Sequence, residues 1–255
     1  MKEKAINRIG LSDRDLLKYN KHILLDDIQV EGIELLNTKH IALIGLGGLG
    51  CPIAQYLATS GLGKLSIIDN DIIEDTNLQR QLLYTQDDVG SYKVDIVKKK
   101  LNILNSDLIV DTHNVQFSDH TSNIIQDADL VIDSTDNFST RSTINEATLL
   151  YKKPLVMGAA IKMQGQVAIF RNDIPNKPCY NCLYNDVEDK NESCLDQGVL
   201  SMLTGLIGNI QAAESIKTLL NFGETLESKL LLIDLKNISF RIIKIQKDNK
   251  CRVCN

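Results

Sequence analysis

Two short stretches hold most of the chemistry in this chain. The first, Ile41-Ala-Leu-Ile-Gly45-Leu-Gly47-Gly48-Leu-Gly50, sets a G-x-G-x-x-G turn between an apolar strand and a helix. Glycines at that spacing let the backbone approach a phosphate at the positive end of the helix. Asp69 closes the next strand, nineteen residues after Gly50, where a carboxylate can accept ribose hydroxyls. Alone, this fingerprint marks a nucleotide site, most often for NAD. The second stretch, Asn77-Leu-Gln-Arg80-Gln81, shifts the reading. A hydride-transfer enzyme has no need of an Arg beside the phosphates just after its second strand.

Cysteines form a second constellation. Cys179-x-x-Cys182 and Cys251-x-x-Cys254 are two pairs, and each pair can bring two thiolates onto one ion. Two such pairs complete a tetrahedral zinc site with no open position, which makes the ion structural. The gap between them is far longer than in a compact zinc ribbon. A redox pair or free thiols are the rival readings, and neither accounts for a matched pair of pairs. Cys51, directly after the glycine turn, reads as a small packing residue. Cys194 stands in a polar stretch ahead of a long helix, a setting that suits a reactive thiolate. The four histidines (His22, His40, His113, His120) lie outside every one of these motifs.

The elements that must position these groups alternate. Ser12 and Asp15 resemble a capping box opening a helix to about residue 23, and a second helix covers 30–36. Strands at 41–46, 65–69, 108–115 and 130–134 then interleave with helices at 48–60, 91–104, 121–127 and 138–151. That rhythm predicts right-handed βαβ units and a parallel sheet covered on both faces. After Pro154, strands at 155–160 and 166–170 are separated by a short turn, so the sheet turns antiparallel there. A turn-rich linker (172–178), a polar loop (185–197), a long apolar helix (199–220) and two strands (229–235, 239–246) follow. The expectation is a single α/β, Rossmann-like domain. Its parts are N-terminal helices (1–37), a nucleotide-binding core (38–172) and a C-terminal portion (173–255) that carries the zinc knuckle.

Composition narrows the partners. The chain has 255 residues, is 43% hydrophobic and carries a net charge of −5, which argues against nucleic acid as the main partner. Lys98-Lys-Lys100 is its only tight basic run and reads as a solvated helix face. No apolar leader opens the sequence and no run approaches a membrane span, so a cytoplasmic enzyme without membrane contact is expected.

In order along the chain, the glycine turn at 45–50, Asp69, Asn77-Leu-Gln-Arg80-Gln81, Gly90-x-x-Lys93 and Thr135-Asp136-Asn137 resemble the motifs of the MoeB/ThiF/HesA family. These are bacterial relatives of ubiquitin-activating enzymes, and the resemblance runs from about residue 11 to 254. It implies ATP-dependent adenylation of the C-terminal glycine of a ubiquitin-like sulfur carrier ending in Gly-Gly. The attacking carboxylate is already ionised, so such a site needs positioning and positive charge rather than a general base. The sequence agrees in placing no histidine among the motifs.

By the same resemblance, Gly45, Gly47, Gly48 and Gly50 line ATP and Asp69 holds its ribose, with Asp71 either a second ribose contact or a turn residue. Asn77, Arg80, Gln81 and Lys93 serve the ribose–phosphate region, and Asp136 with Asn137 binds Mg²⁺ and nucleotide. The family carries the same paired cysteines, which supports Zn²⁺ at Cys179, Cys182, Cys251 and Cys254. Lys21 stands where the family usually has an Arg that reaches the ATP of a partner subunit, which implies a homodimer. Charge is kept there, but the planar fork is lost. Some members use a cysteine at the place of Cys194 for a covalent link to the carrier, and others do not. The edge at 158–166 helps to receive the carrier's tail. Its wording resembles the molybdopterin branch, whereas 23–28 resembles the thiamine branch, and the reading leans to molybdopterin. No sulfurtransferase segment follows Cys254, so a separate sulfur donor is expected. The alternatives are the thiamine-pathway carrier, an NAD-dependent oxidoreductase and a non-catalytic binding module.

Overall fold

The computed structural model describes residues 10–184 and 198–255. The parallel strands are β1 (His40–Ile44), β2 (Lys64–Ile68), β3 (Ile109–His113), β4 (Leu130–Asp133) and β5 (Pro154–Ile161). The antiparallel ones are β6 (Gln164–Arg171), β7 (Lys229–Asp234) and β8 (Ser239–Lys244). They form one eight-stranded sheet in the order β3-β2-β1-β4-β5-β6-β7-β8. Strands β1, β2 and β4 are apolar almost throughout and buried on both faces, as a covered parallel sheet requires. From β5 onward the pairing is antiparallel, and β5 to β6 is a tight hairpin in which Ile161 pairs with Gln164.

Eight α-helices accompany the sheet among the described residues: α1 (Asp13–Lys18), α2 (Asn20–Ile23), α3 (Gln29–Asn37), α4 (Gly50–Thr59), α5 (Lys93–Leu104), α6 (Phe138–Leu150), α7 (Tyr180–Leu183) and α8 (Ser201–Leu220). One face of the sheet packs on α4, α5 and α8 through Ile53, Leu57, Val97, Leu101, Leu203 and Ile207. The other packs on α6 and α7 through Ile144, Ala147 and Tyr180. A third small core (Tyr19, Ile28, Ile33, Leu36) seats α1–α3 against the C-terminal end of α8.

Two expected helices differ. The helix opened by the Ser12–Asp15 capping box breaks at Tyr19, whose ψ of 12° interrupts the α repeat and divides it into α1 and α2. The helix expected at 121–127 is a 3₁₀ segment over Asp119–Ile125. There Thr121 is drawn back into a reciprocal cap with Ser118, which tightens the turn. The linker after β6 also contains α7, a single turn lying between the paired cysteines.

Candidate nucleotide site and cysteine cluster

β1 hydrogen-bonds to β2 on one side and β4 on the other, so the chain crosses in opposite directions from β1. A crevice opens at such a switch point beyond the C-terminal ends of the strands. The glycine turn lies there. Gly45 takes φ +93°, in the left-handed region, and receives Ser134 Oγ on its carbonyl at 2.8 Å. A Cβ on Gly50 would stand 2.1 Å from Gly45 O, so the helix can start this close to the strand only with glycine. Gly48 faces α8, where a Cβ would meet Thr204 Oγ1 at 3.0 Å, while Gly47 has open space. No side chain caps α4; its Cys51 amide donates to Gly47 O at 3.0 Å and Pro52 has no amide hydrogen, so what the helix end offers the crevice is chiefly its positive dipole.

Asp69 follows β2 directly. Its carboxylate accepts from Leu46 N at 2.7 Å and Asp71 N at 2.8 Å, which fixes it beneath the glycine turn. Burial raises its pKa above the ordinary value despite the nearby Lys93 cation. Lys93 opens α5 and is buried, with Nζ 2.7 Å from Asp71 Oδ2. The exposed Asp71 is thereby held as the partner of Lys93.

Between Asp71 and α5, the segment around residue 77 curls into a 3₁₀ turn. Asn77 Oδ1 accepts from Glu74 N at 3.2 Å, and Arg80 Nη1 donates to Thr76 O at 3.0 Å. No carboxylate forms an ion pair with Arg80 among the described residues. Gln81 is buried against Gly47, and its Oε1 has no hydrogen-bond partner. Lys100 reaches back from α5 to Leu83 O at 2.6 Å and to the Asp88 carboxylate, anchoring the loop that carries Arg80.

Asp136 and Asn137 lie just past β4, both exposed. Asn137 Oδ1 accepts from Thr140 N at 2.8 Å and so caps α6. The expected phosphate, ribose and metal residues from five separate segments therefore converge on one edge of the sheet. Lys21 does not join them. It is exposed on α2, in the layer under the C-terminal end of α8, whereas Thr204 beside Gly48 is near the other end. The stretch of α8 from Thr204 to the residues around Leu219 that meet this layer separates the two by about 20 Å. Cys194 lies outside the described residues.

Three groups at this edge were not singled out from sequence: Asp133, Arg141 and Gln211, all buried. Gln211 Nε2 on α8 donates to Asp133 O at 2.8 Å, and Arg141 Nη2 on α6 donates to Thr135 O at 2.5 Å. The signal for Arg141 was its spacing to Ile144, Asn145 and Thr148, which puts it on the buried face of α6. Beyond Met157, β5 runs past its pairing with β4. A groove of about 270 Å³ opens beside this extension, lined by Ala159, Ile161, Gln166, Leu232 and Arg241.

The four paired cysteines meet. The Sγ atoms of Cys179 and Cys182 are 3.9 Å apart, those of Cys179 and Cys251 3.8 Å, and those of Cys182 and Cys254 3.5 Å. All four lie within 4.8 Å of one another and none is in a disulfide. A tetrahedron of thiolates at the zinc–sulfur distance of about 2.3 Å has edges of about 3.8 Å, so the cluster fits that ion. Cys51 is fully buried with its thiol pKa pushed up to about 12 by burial, an inert packing residue as expected.

Known proteins are similar to this chain over most of its length. "Adenylyltransferase and sulfurtransferase MOCS3" of Aedes aegypti is 40% identical over 96% of this chain, which spans 56% of that protein's length. "Molybdopterin-synthase adenylyltransferase" of Salmonella typhimurium is 38% identical, covering 96% of this chain and 98% of its own. The crystal structure of E. coli MccB with MccA-N7isoASN superposes with a TM-score of 0.78 at 25% identity, covering 88% of this chain and 69% of that one. The ThiF family model matches residues 19–253, from the helices below the sheet to the last cysteine pair, and the chain belongs to the ThiF family.

Proposed function

We propose that this protein is an adenylyltransferase that uses ATP to activate the C-terminal glycine of a ubiquitin-like sulfur carrier, in molybdopterin biosynthesis. One observation carries the reading: Lys93, Arg80, Asp69 and Asp136 gather around an uncapped helix and a glycine turn at a single sheet edge. That is cationic and hydrogen-bonding equipment for phosphates. The full-length match to a molybdopterin-synthase adenylyltransferase supports the choice of carrier.

In this reading the turn at Gly45, Gly47 and Gly50 and the positive end of α4 face the phosphates, and Asp69 accepts the ribose hydroxyls. Asn77, Gln81 and Asn137 border the nucleotide, with the partnerless Gln81 Oε1 free to accept from it. A carboxylate oxygen of the carrier's last glycine attacks the α-phosphorus. An O–P bond forms, the bond to the β-phosphate's bridging oxygen breaks, and pyrophosphate leaves with the electron pair. No proton moves, so the chain supplies alignment and charge. Arg80 and Lys93 offset the negative charge that builds on the phosphates, while Asp71 keeps Lys93 extended toward them. Asp136 would hold Mg²⁺, which when bound neutralises phosphate charge.

The carrier's tail enters along 158–161, where β5 has run past β4 and pairs on its other side with β6, and the adjoining groove takes the residues before the terminal glycine. Four thiolates suit Zn²⁺ as a structural ion that pins residues 251–254 to α7. Lys21 is too distant to serve its own chain's ATP, so we assign it to the site of a second copy. The exposed Leu17, Leu24 and Leu25 beside it give that copy apolar surface to bury. Sulfur then comes from a separate donor protein.

Pyrophosphate–ATP exchange, with Gly-Gly-ending carriers of the same organism added one at a time, tests the reading. Exchange with the molybdopterin-pathway carrier is expected. Exchange confined to the thiamine-pathway carrier would keep the chemistry and change the pathway, and none with any carrier would overturn the activity.

A further inference from the structure

Arg141 is a charged residue placed where charge is costly. It sits one turn into α6 and is 6% exposed, among Ile144, Asn145 and Ala147 on the buried face. Removing a guanidinium from water costs several kcal/mol unless its donors are well used. Here Nη2 spans two segments, donating to Thr135 O at 2.5 Å and to Gly158 O at 3.3 Å. Asp133 lies close by: burial raises the pKa of its carboxyl, and the Arg141 cation opposes that rise. Its Oδ1 accepts from Thr135 N at 2.9 Å and Thr135 Oγ1 at 2.7 Å, so the same loop is held a second time.

The segments that Arg141 joins are unlike in role. Thr135 immediately precedes Asp136. Gly158 is the first residue of β5 beyond its pairing with β4. From the opposite face, Gln211 reaches the same junction with bonds to Asp133 O at 2.8 Å and Val156 O at 3.4 Å, and a Cβ at Gly158 would stand 2.2 Å from its Oε1. The ends of β4 and β5 are therefore clamped from both sides.

We propose that Arg141 is a positioning residue that locks the loop bearing Asp136 to the β5 edge at 158–161, and so sets the carrier's carboxylate in register with the α-phosphate. The inference rests on the adenylation reading for its kinetic consequence but not for the clamp itself. Each half of the site would bind its own substrate without Arg141, because neither ATP nor the tail touches it. Alignment between the halves is what it supplies, and a displacement of about 1 Å can cost on the order of 100-fold in rate. Lysine keeps the charge but replaces the rigid planar guanidinium, whose Nη2 alone meets both carbonyls, with a point charge on a flexible stem.

Arg141→Lys and Arg141→Met test this in the full-length protein, with kcat counted per ATP-competent site. The lysine variant retains a partner for Asp133, so it carries the test if the methionine variant fails to fold. For Arg141→Lys, kcat for carrier-dependent exchange is expected to fall between about 10- and 100-fold, with KM for ATP and for carrier nearly unchanged. Amide hydrogen exchange in peptides covering 134–140 and 157–162 is expected to accelerate in both together. An unaltered kcat, or a loss confined to one KM, would overturn the proposal. If the wild-type protein exchanges with no carrier, the adenylation reading fails, and the amide readout still decides the clamp: no acceleration, or acceleration in one segment alone, refutes it.

Discussion

At the N-terminal edge of the sheet, His40 sets both ring nitrogens against partners, Asp127 O at 3.1 Å and Ser66 Oγ at 2.8 Å, while at the C-terminal edge Gln81 and Gln211 each bury a carboxamide oxygen with none. The contrast extends further. Below, Asn105 Nδ2 donates to Ala58 O at 2.7 Å and Tyr19 OH at 3.3 Å, and Asp129 Oδ2 accepts from His40 N at 2.8 Å. Above, Asp133 Oδ2 is also buried without a partner. A buried polar atom left unpaired costs about 1–3 kcal/mol. The chain satisfies that requirement at one edge and forgoes it at the other, where a nucleotide and a peptide tail could complete the bonds. One edge is built to hold the fold and the other to bind.

The contrast breaks if the two edges respond alike to substitution. Arg80→Ala is expected to have the largest effect, a loss of about 10³-fold or more in exchange rate. Melting should be almost unaltered, because the side chain's recorded contact is one bond to Thr76 O. A matching loss of stability would make Arg80 structural. Ile33→Ala, in the small core beneath the sheet, should do the reverse. Deleting this fully buried side chain is expected to cost about 2–5 kcal/mol in denaturant unfolding, with the exchange rate per folded molecule unaltered.

The cysteine cluster sharpens the comparison, since it holds the fold without touching the crevice. Cys182→Ser is expected to release zinc, read by metal analysis, and to lower the melting temperature by at least roughly 2 °C, the equivalent of about 1 kcal/mol or more in a chain this long. Unaltered metal content would refute the four-thiolate site.

The smallest effect concerns His40. Burial, with nearby Lys64, holds its pKa below the ordinary 6.5, so the folded state keeps the ring neutral where the unfolded chain takes up a proton. Stability should therefore be full above pH 6.5 and decline as pH falls below it. His40→Asn should flatten that decline in urea titrations between pH 7 and pH 5, and an identical slope would remove His40 from the linkage.

What could be read from sequence was whatever local pattern specifies. The glycine turn, the alternation of apolar strands with amphipathic helices and the reversal after Pro154 all depend on neighbours within a few residues, and each appears in the fold. The 3₁₀ turn at Ser118–Thr121 was hidden because a side-chain cap competed with helix propensity, whereas the break at Tyr19 is a backbone kink with no side-chain cap to announce it. Asp71 read equally as a ribose contact or a turn residue, and its pairing with Lys93, twenty-two positions away, appears only on folding. Gln211 was least legible: a glutamine on an apolar helix announces nothing until tertiary packing brings it to Asp133 and Val156. Arg141 left a faint trace in its helical spacing, but the carbonyls it joins belong to two other elements.

The most direct test of the account is pyrophosphate–ATP exchange measured with two forms of one carrier, the native C-terminus and the same protein ending in a glycine amide. The account predicts exchange with the free carboxylate, none with the amide, and none with either form in Arg80→Ala. Exchange that persists with the amide would contradict it, because the nucleophile would then not be the carrier's terminal carboxylate.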